Sequence, residues 1–194
     1  MKKLIAVAAV LVASVFTANS QDTKMWIGGA ASFGSQKTDQ DGAKPVTNGV
    51  FSPGFGYNIN ETITAGLFLN ISGGKSTDET GAEVKSSSFA VDPFVRYNKA
   101  AGDKFTMFGQ LDINIGSEKM SYDGTSNKGT SFFGIGIAPG VDYAFTPAFS
   151  ITATVGALRY TSANDKDSEV KTNSFDFGLD LNAVSFGLFY HFGK

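Results

Sequence analysis

The stretch Ser185–Phe192, with the sequence SFGLFYHF, decides the fold class of this chain. Large apolar side chains alternate with smaller or polar ones along it, and an alternation of period two predicts a β-strand. Only two residues follow this strand in the sequence. An unpaired strand with an aromatic face would aggregate in water, so closure of a sheet on itself is the expected remedy.

The N-terminus predicts export. Lys2 and Lys3 precede an apolar run over residues 4–16, and small residues lead up to Gln21. These features are typical of a secretory signal peptide, here residues 1–20, and the run is too short to be a spanning helix. We expect residues 21–194 to form one mature domain.

Composition excludes several classes of protein. The chain has no cysteine, so neither disulfides nor a lipoprotein anchor are expected. Without Lys2 and Lys3, 14 basic and 18 acidic residues remain, a net charge of −4. Because there is no basic stripe, we expect no nucleic-acid partner.

Period-two alternation recurs throughout the mature chain, which is rich in Gly (23) and Phe (18). No later segment approaches the ~20 apolar residues that a spanning helix needs. Such strands predict an all-β protein, an eight-stranded antiparallel up-and-down transmembrane β-barrel. The predicted strands cover residues 25–33, 51–59, 62–72, 89–97, 105–115, 133–143, 149–160 and 175–192.

The last predicted strand changes its apolar face near Asn182-Ala183, between Leu181 and Val184. A β-bulge would shift the alternation by one residue within one long strand. A tight turn would instead divide it into two strands and give nine in total, an unusual number for a single-chain bacterial barrel. We expect the bulge.

The connections alternate in length. Long polar segments lie at 36–47, 73–84, 117–129 and 161–171, whereas those at 58–61, 98–104 and 144–147 are short. Long extracellular loops at one rim and short periplasmic turns at the other are typical of outer-membrane barrels. Aromatic residues near both rims predict two interfacial girdles.

The composition of the polar face distinguishes a membrane barrel from a soluble, lipocalin-like one. Gly, Ser, Thr and Asn dominate this face, and nearly all Lys and Glu lie in the connections instead. A soluble exterior carries many more charges. Small polar side chains suit the narrow lumen of an eight-stranded barrel, so the apolar face is expected in lipid.

The signal peptide, the alternation, the strand end Val91–Tyr97 (VDPFVRY) and the terminal SFGLFYHF together resemble the small outer-membrane β-barrel (porin-like) family of Gram-negative bacteria. The resemblance implies residence in the outer membrane, contact with its lipids and lipopolysaccharide, and insertion by the barrel assembly machinery. Within it, Ser185, Gly187, Tyr190 and Phe192 match the assembly signal. Gly193 and Lys194 depart from the pattern, because the family usually ends at the final aromatic residue.

Asp92, Arg96, Asp112 and Asp142 are the charged residues predicted to meet in the lumen. They form either a polar relay or substrate site, or a set of salt bridges that neutralises buried charge. Arg159 is expected to point outward at the loop end of its strand and to contact lipid headgroups or anchor the interface.

The sequence offers little for catalysis or metal binding. The single histidine, His191, lies at the periplasmic end, away from the outer leaflet where lipid enzymes of this kind act, so no catalytic residue is expected. Carboxylates at 165, 167 and 169 have calcium-like spacing but lack the glycine and distal glutamate of an EF-hand loop. We expect no metal site, no cofactor and no enzyme activity.

For function, the sequence leaves three hypotheses. A structural or adhesive barrel that binds an unidentified extracellular ligand through its loops ranks first, because loops carry binding sites. A narrow channel for small or apolar solutes ranks second, and an outer-membrane lipid-modifying enzyme third.

Overall fold

The structure, a computed structural model, describes residues 25–36, 45–77, 82–155, 158–178 and 185–193. The predicted signal peptide and the Asn182-Ala183 irregularity lie outside these residues. No helix long and apolar enough to cross a membrane occurs in the described part of the chain. Its strands are β1 Met25–Gln36, β2 Val46–Asn58, β3 Ile63–Thr77, β4 Glu83–Ala100, β5 Phe105–Tyr122, β6 Thr125–Ser126, β7 Thr130–Thr146, β8 Phe149–Thr154, β9 Leu158–Asp165, β10 Lys171–Phe177 and β11 Ser185–Phe192.

The strands form a closed, eight-stranded antiparallel barrel, as predicted. Sequential strands pair as neighbours, and β11 closes the sheet on β1, with Met25 opposite Phe192. β8 and β9 together form the seventh barrel strand, because both pair with β7. β10 and β11 form the eighth, and β6 only extends the β5 hairpin.

β10 and β11 belong to the same barrel strand. β10 runs antiparallel to β9 and β11 runs antiparallel to β8, so β10 and β11 point in the same direction. The outward face changes parity between them as the sequence predicts, since Phe175 and Phe177 are exposed in β10 and Phe186 and Leu188 in β11. The nine-stranded alternative is therefore excluded.

The strands are longer at the extracellular rim than the alternation predicts. β4 and β5 each contain 18 residues, whereas about 9–11 residues cross a bilayer. Segments expected to be loops, including residues 117–122 and 161–165, continue as paired strand. The β5–β6 hairpin turns at Asp123 and Gly124, which both have positive φ (46° and 84°), as an Asp-Gly type I′ turn requires.

Outward-facing aromatic rings gather at the short-turn end. Phe149 lies 5.1 Å from Tyr190 between ring centroids, and Phe105 lies 4.8 Å from Tyr143. These contacts form the expected aromatic girdle at the periplasmic interface.

Candidate functional site

Four inward-facing rings fill the periplasmic half of the lumen. We call them the aromatic cluster: Trp26, Phe68, Phe94 and Phe189. Trp26 lies 4.6 Å from Phe189 and 5.8 Å from Phe94 between ring centroids. Phe68 stacks on Phe94 at 5.0 Å. Trp26, Phe94 and Phe189 are each at most 5% exposed, so the rings pack tightly against one another inside the lumen.

Inward-facing glycines make room for these rings. A Cβ at Gly54 would lie 2.3 Å from the ring of Phe68, and one at Gly56 would lie 2.1 Å from Trp26. At Gly66 it would approach the ring of Phe94 to 2.6 Å. Gly54, Gly56 and Gly66 therefore accommodate aromatic side chains of the lumen.

Arg96 lies directly beside the aromatic cluster and is 4% exposed. Its guanidinium carbon lies 3.8 Å from the ring centroid of Phe108, within the range of a cation–π contact. It donates to Gln110 Oε1 from Nη2 (2.9 Å) and to Asp142 Oδ2 from Nη1 (3.3 Å). Thr152 donates to the other oxygen of Asp142.

Asp112 does not join Arg96. Its Oδ2 instead accepts from Arg159 Nη2 at 3.2 Å, and Asp112 is 3% exposed. Asp92 accepts from Asn70 Nδ2 at 3.2 Å, and its Oδ1 has no hydrogen-bond partner among the described residues. The four residues predicted to form one network therefore do not all meet. Arg96 forms an ion pair with Asp142, Asp112 forms one with Arg159, and Asp92 accepts a hydrogen bond from Asn70.

The prediction that Arg159 points outward is wrong. The register between β7 and the seventh barrel strand explains the error. Val141 pairs with Ala153, and Ile137 pairs with Leu158. The first residues of these two pairs are four positions apart in β7, whereas their partners are five positions apart. The seventh barrel strand therefore contains one residue more than β7 over the same span, and one extra residue reverses the side-chain alternation. Arg159 consequently shares the inward face of Asp112.

Several polar lumen residues were missed by the sequence analysis, which selected only charged ones. Thr64, 2% exposed, donates to Asn58 Oδ1 at 2.6 Å and accepts from Asn98 Nδ2 at 2.8 Å. Ser52 donates to Asn70 at 2.7 Å. Their inward positions in the alternation could have identified them, because buried polar side chains must form hydrogen bonds.

His191 faces the lumen, and its Nε2 lies 2.8 Å from the Ser150 hydroxyl on the neighbouring strand. A serine and a histidine at this distance resemble a nucleophile and its base. Ser150 is only 3% exposed and lies among closely packed strand residues. The arrangement gives a substrate no access and ties β8 to β11.

The extracellular rim is held by hydrogen bonds between turns. Asp123 Oδ1 accepts from the amide of Glu83 (2.9 Å), and Asp167 Oδ2 accepts from the amide of Lys128 (2.9 Å). Asp165 accepts from Ser168 and from the Asp167 amide, and these hydrogen bonds lower the pKa of its carboxyl. No group of three potential metal ligands occurs among the described residues.

The residues of the predicted assembly signal all lie in β11. Ser185 and Gly187 take the inward positions, whereas Tyr190 and Phe192 face outward and stack on each other at 5.9 Å between centroids. The outward pair lies at the periplasmic end of the barrel, and recognition by assembly machinery stays a prediction.

Comparison with known proteins agrees with this architecture. The family model described as outer membrane protein beta-barrel domain matches residues 5–192. A 22 kDa outer membrane protein of Rhizobium leguminosarum bv. viciae is 33% identical over 84 residues, which cover 43% of this chain and 38% of that relative. The match thus spans well under half the length of that relative.

A solved structure of Neisserial surface protein A shows the same fold at low sequence identity. Neisserial surface protein A is 14% identical, with a TM-score of 0.50, and the match covers 88% of this chain and 99% of that one. Ail, the attachment invasion locus protein of Yersinia pestis, is 13% identical with a TM-score of 0.49 over 89% of this chain and 100% of that one. That structure contains the heparin analogue sucrose octasulfate.

The closed barrel, its apolar exterior and its polar, ring-filled lumen define an integral outer-membrane barrel protein. The chain belongs to the outer membrane protein beta-barrel domain family. It resides in the cell outer membrane.

Proposed function

We propose that this protein is a non-conducting barrel that binds an extracellular ligand at its rim. The observation that carries the proposal is the aromatic cluster, because Trp26, Phe94 and Phe189 are almost completely buried across the lumen. An eight-stranded lumen is only wide enough for side chains to fill. A continuous water path at this level would require these rings to move.

The rim supports a binding role. The long strands β4 and β5 extend the sheet beyond the ~10 residues that a bilayer requires. Asp123 accepts from the backbone amide of Glu83 and Asp167 from that of Lys128, and these contacts support an ordered rim among the described residues. Preorganisation of this kind lowers the entropic cost of binding.

Catalysis is the least supported of the three hypotheses. The Ser150–His191 pair is the arrangement closest to a catalytic one among the described residues, and its serine is inaccessible. We propose that this pair, like the two lumen ion pairs, stabilises the barrel. Insertion by the assembly machinery through Ser185, Gly187, Tyr190 and Phe192 remains part of the proposal.

Conductance in planar bilayers tests the closed lumen. The refolded wild type is expected to give no discrete current steps. The variant W26A/F94A removes two rings of the aromatic cluster and is expected to open a detectable pore. The variant F89A removes an exposed, outward-facing ring of the same kind and serves as the control. Reproducible steps from the wild type would overturn the proposal and favour a channel.

Retention of cells that display the protein tests ligand binding at the rim. The surfaces are a panel of immobilised sulfated and neutral polysaccharides and serum proteins. The variant D123A/D167A removes both inter-turn acceptors and is expected to weaken retention, whereas D103A, in an exposed short turn at the opposite end, is the matched control. If cells with the barrel are retained no better than cells without it on every surface, the binding role is refuted.

A further inference from the structure

Charged side chains are sorted between the two faces of the barrel wall. Every lysine in the described strands, such as Lys75 and Lys119, faces outward by the strand alternation. Arg96 and Arg159 face inward, and each is paired with one aspartate. Four further carboxylates face inward and have no ion pair in the described part of the chain: Asp92, Glu118, Asp165 and Asp176. The inner face is therefore negative, and a cavity lined by one sign of charge concentrates ions of the other sign.

The inner face also carries exposed apolar side chains at its extracellular end. The outward apolar band ends at Phe51, Ile71 and Phe89, which lie opposite one another on β2, β3 and β4. Beyond that band, Met120 and Tyr122 face inward from β5, yet they are 37% and 51% exposed. Water therefore reaches these two apolar side chains from inside the mouth of the barrel.

Val84 joins these two residues from the neighbouring strand. It lies directly opposite Tyr122, and the Tyr122 hydroxyl donates to Met120 Sδ at 3.9 Å. We call Val84, Met120 and Tyr122 the mouth patch. The residue opposite Met120 is a serine, Ser86, which is too small to cover the thioether. Contiguous exposed apolar groups mark binding sites, and a methionine side chain adapts its shape to a ligand.

Glu118 places a carboxylate beside the mouth patch. It precedes Met120 by two residues on the same face of β5, which is about 7 Å along the strand. Ser88 and Thr130 lie directly opposite Glu118 on the two neighbouring strands, and both hydroxyls take part in hydrogen bonds on the lumen wall. A charged acceptor flanked by hydroxyl oxygens thus adjoins an exposed apolar surface.

We propose that the mouth patch and Glu118 together bind a small amphipathic cation, an amine on a short apolar or aromatic body. Charge complementarity favours a cation, because the inner face is negative and its two arginines are already paired. The separation of about 7 Å between Glu118 and Met120 suits a phenethyl group, whose ring packs on the mouth patch while its ammonium reaches the carboxylate. This inference names the chemical class of ligand for the extracellular rim and rests on the binding role proposed above.

Methionine methyl NMR of the refolded, isotope-labelled protein in detergent micelles tests this site. The probes are phenethylammonium, the neutral phenethyl alcohol, and ethylammonium, which lacks the ring. The methyl group of Met120 reports binding at the mouth patch. The methyl group of Met107, which faces outward and is 56% exposed, reports partition of a probe into the micelle. Heat-dependent electrophoretic migration verifies that each variant is folded.

The wild type is expected to bind phenethylammonium more tightly than either comparison compound, because each of those lacks the charge or the ring. E118Q removes the charged acceptor and is expected to weaken binding roughly tenfold. E83Q neutralises an outward-facing carboxylate at the same end of the barrel and is expected to stay within about twofold. V84S reduces the mouth patch and is expected to weaken binding about threefold, whereas V170S, in the exposed turn before β10, is its control.

Three results would overturn the proposal. One is a probe that shifts the Met107 methyl as strongly as the Met120 methyl, which would indicate partition into the micelle only. Another is phenethyl alcohol that binds as tightly as the amine. The third is an E118Q variant that binds the amine as the wild type does. If cells are still retained in the assay above, these results refute only the ligand class, whereas failed retention on every surface refutes the rim role itself.

Discussion

Removal of the buried Arg96 charge is expected to destabilise the barrel strongly. In the variant R96M, Asp142 keeps the hydrogen bond from Thr152 but loses its cationic partner. Truncation of one member of a buried pair costs about 3–5 kcal/mol. The Asp142 side chain is 21% exposed, which favours the lower end, and the lost contact with Phe108 adds about 1–2 kcal/mol.

The magnitude can be assigned to the pair by a double-mutant cycle. D142N alone leaves Arg96 buried beside a neutral amide and is expected to cost about 3 kcal/mol. R96M/D142N buries no charge at this site, and methionine can pack on the surrounding rings. We expect the double variant to be more stable than R96M alone, with a coupling energy of at least about 2 kcal/mol.

Reversible urea unfolding in lipid vesicles, followed by tryptophan fluorescence, is the appropriate assay. Trp26 is the only tryptophan of the chain and lies 5.7 Å from Arg96, measured from ring centroid to guanidinium carbon. The reasoning is refuted if R96M lies within about 1 kcal/mol of the wild type. It is also refuted if neutralising Asp142 in the R96M background restores no stability.

Two further predictions concern packing and pH. G54A places a Cβ 2.3 Å from the ring of Phe68 and is expected to lower the free energy of unfolding by about 1–3 kcal/mol. G109A, with open space around its Cβ, is the control. Equal effects of the two variants in urea unfolding would contradict this prediction. Hydrogen bonds lower the folded-state pKa of Asp165, so its contribution to the β9–β10 turn is present above the ordinary value of 3.8 and is lost as the pH falls through the depressed pKa. Amide hydrogen exchange at Ser168, corrected for intrinsic rates, should therefore accelerate in acid, and the variant D165A should remove that pH dependence. Protection of the Ser168 amide that stays constant from about pH 5 to pH 2 would disprove the prediction.

The class of fold follows from local pattern. Alternation in β3, for example, separates Ile63, Leu67 and Ile71 from Thr64 and Asn70, and the structure keeps each set on one face. In lipid, every backbone N–H and C=O group must be hydrogen-bonded within the protein, so the sheet has to close on itself. The alternation in the sequence therefore predicts a barrel. The parity change before β11 was also visible in the sequence.

The composition of the candidate site was predicted only in part. Arg96 forms an ion pair with Asp142, but Asp112 pairs with Arg159, a residue assigned to the opposite face. A single extra residue between Thr154 and Leu158 reverses the alternation, and the local sequence there does not reveal it. The strands also extend beyond the membrane. Strand pairing there satisfies the backbone N–H and C=O groups, although the sequence shows no apolar alternation in these segments.

The sequence by itself determined which residues face lipid and which face the lumen over most strands, since strand periodicity is a local property of the backbone. Tertiary structure decided which lumen groups meet, because that depends on the register between strands distant in sequence. It also decided the use of the glycines: Gly54 and Gly56 leave room for the rings of Phe68 and Trp26, which come from neighbouring strands. Lys75, Lys85 and Lys119 are likewise separate in the sequence and become neighbours only when β3, β4 and β5 pair.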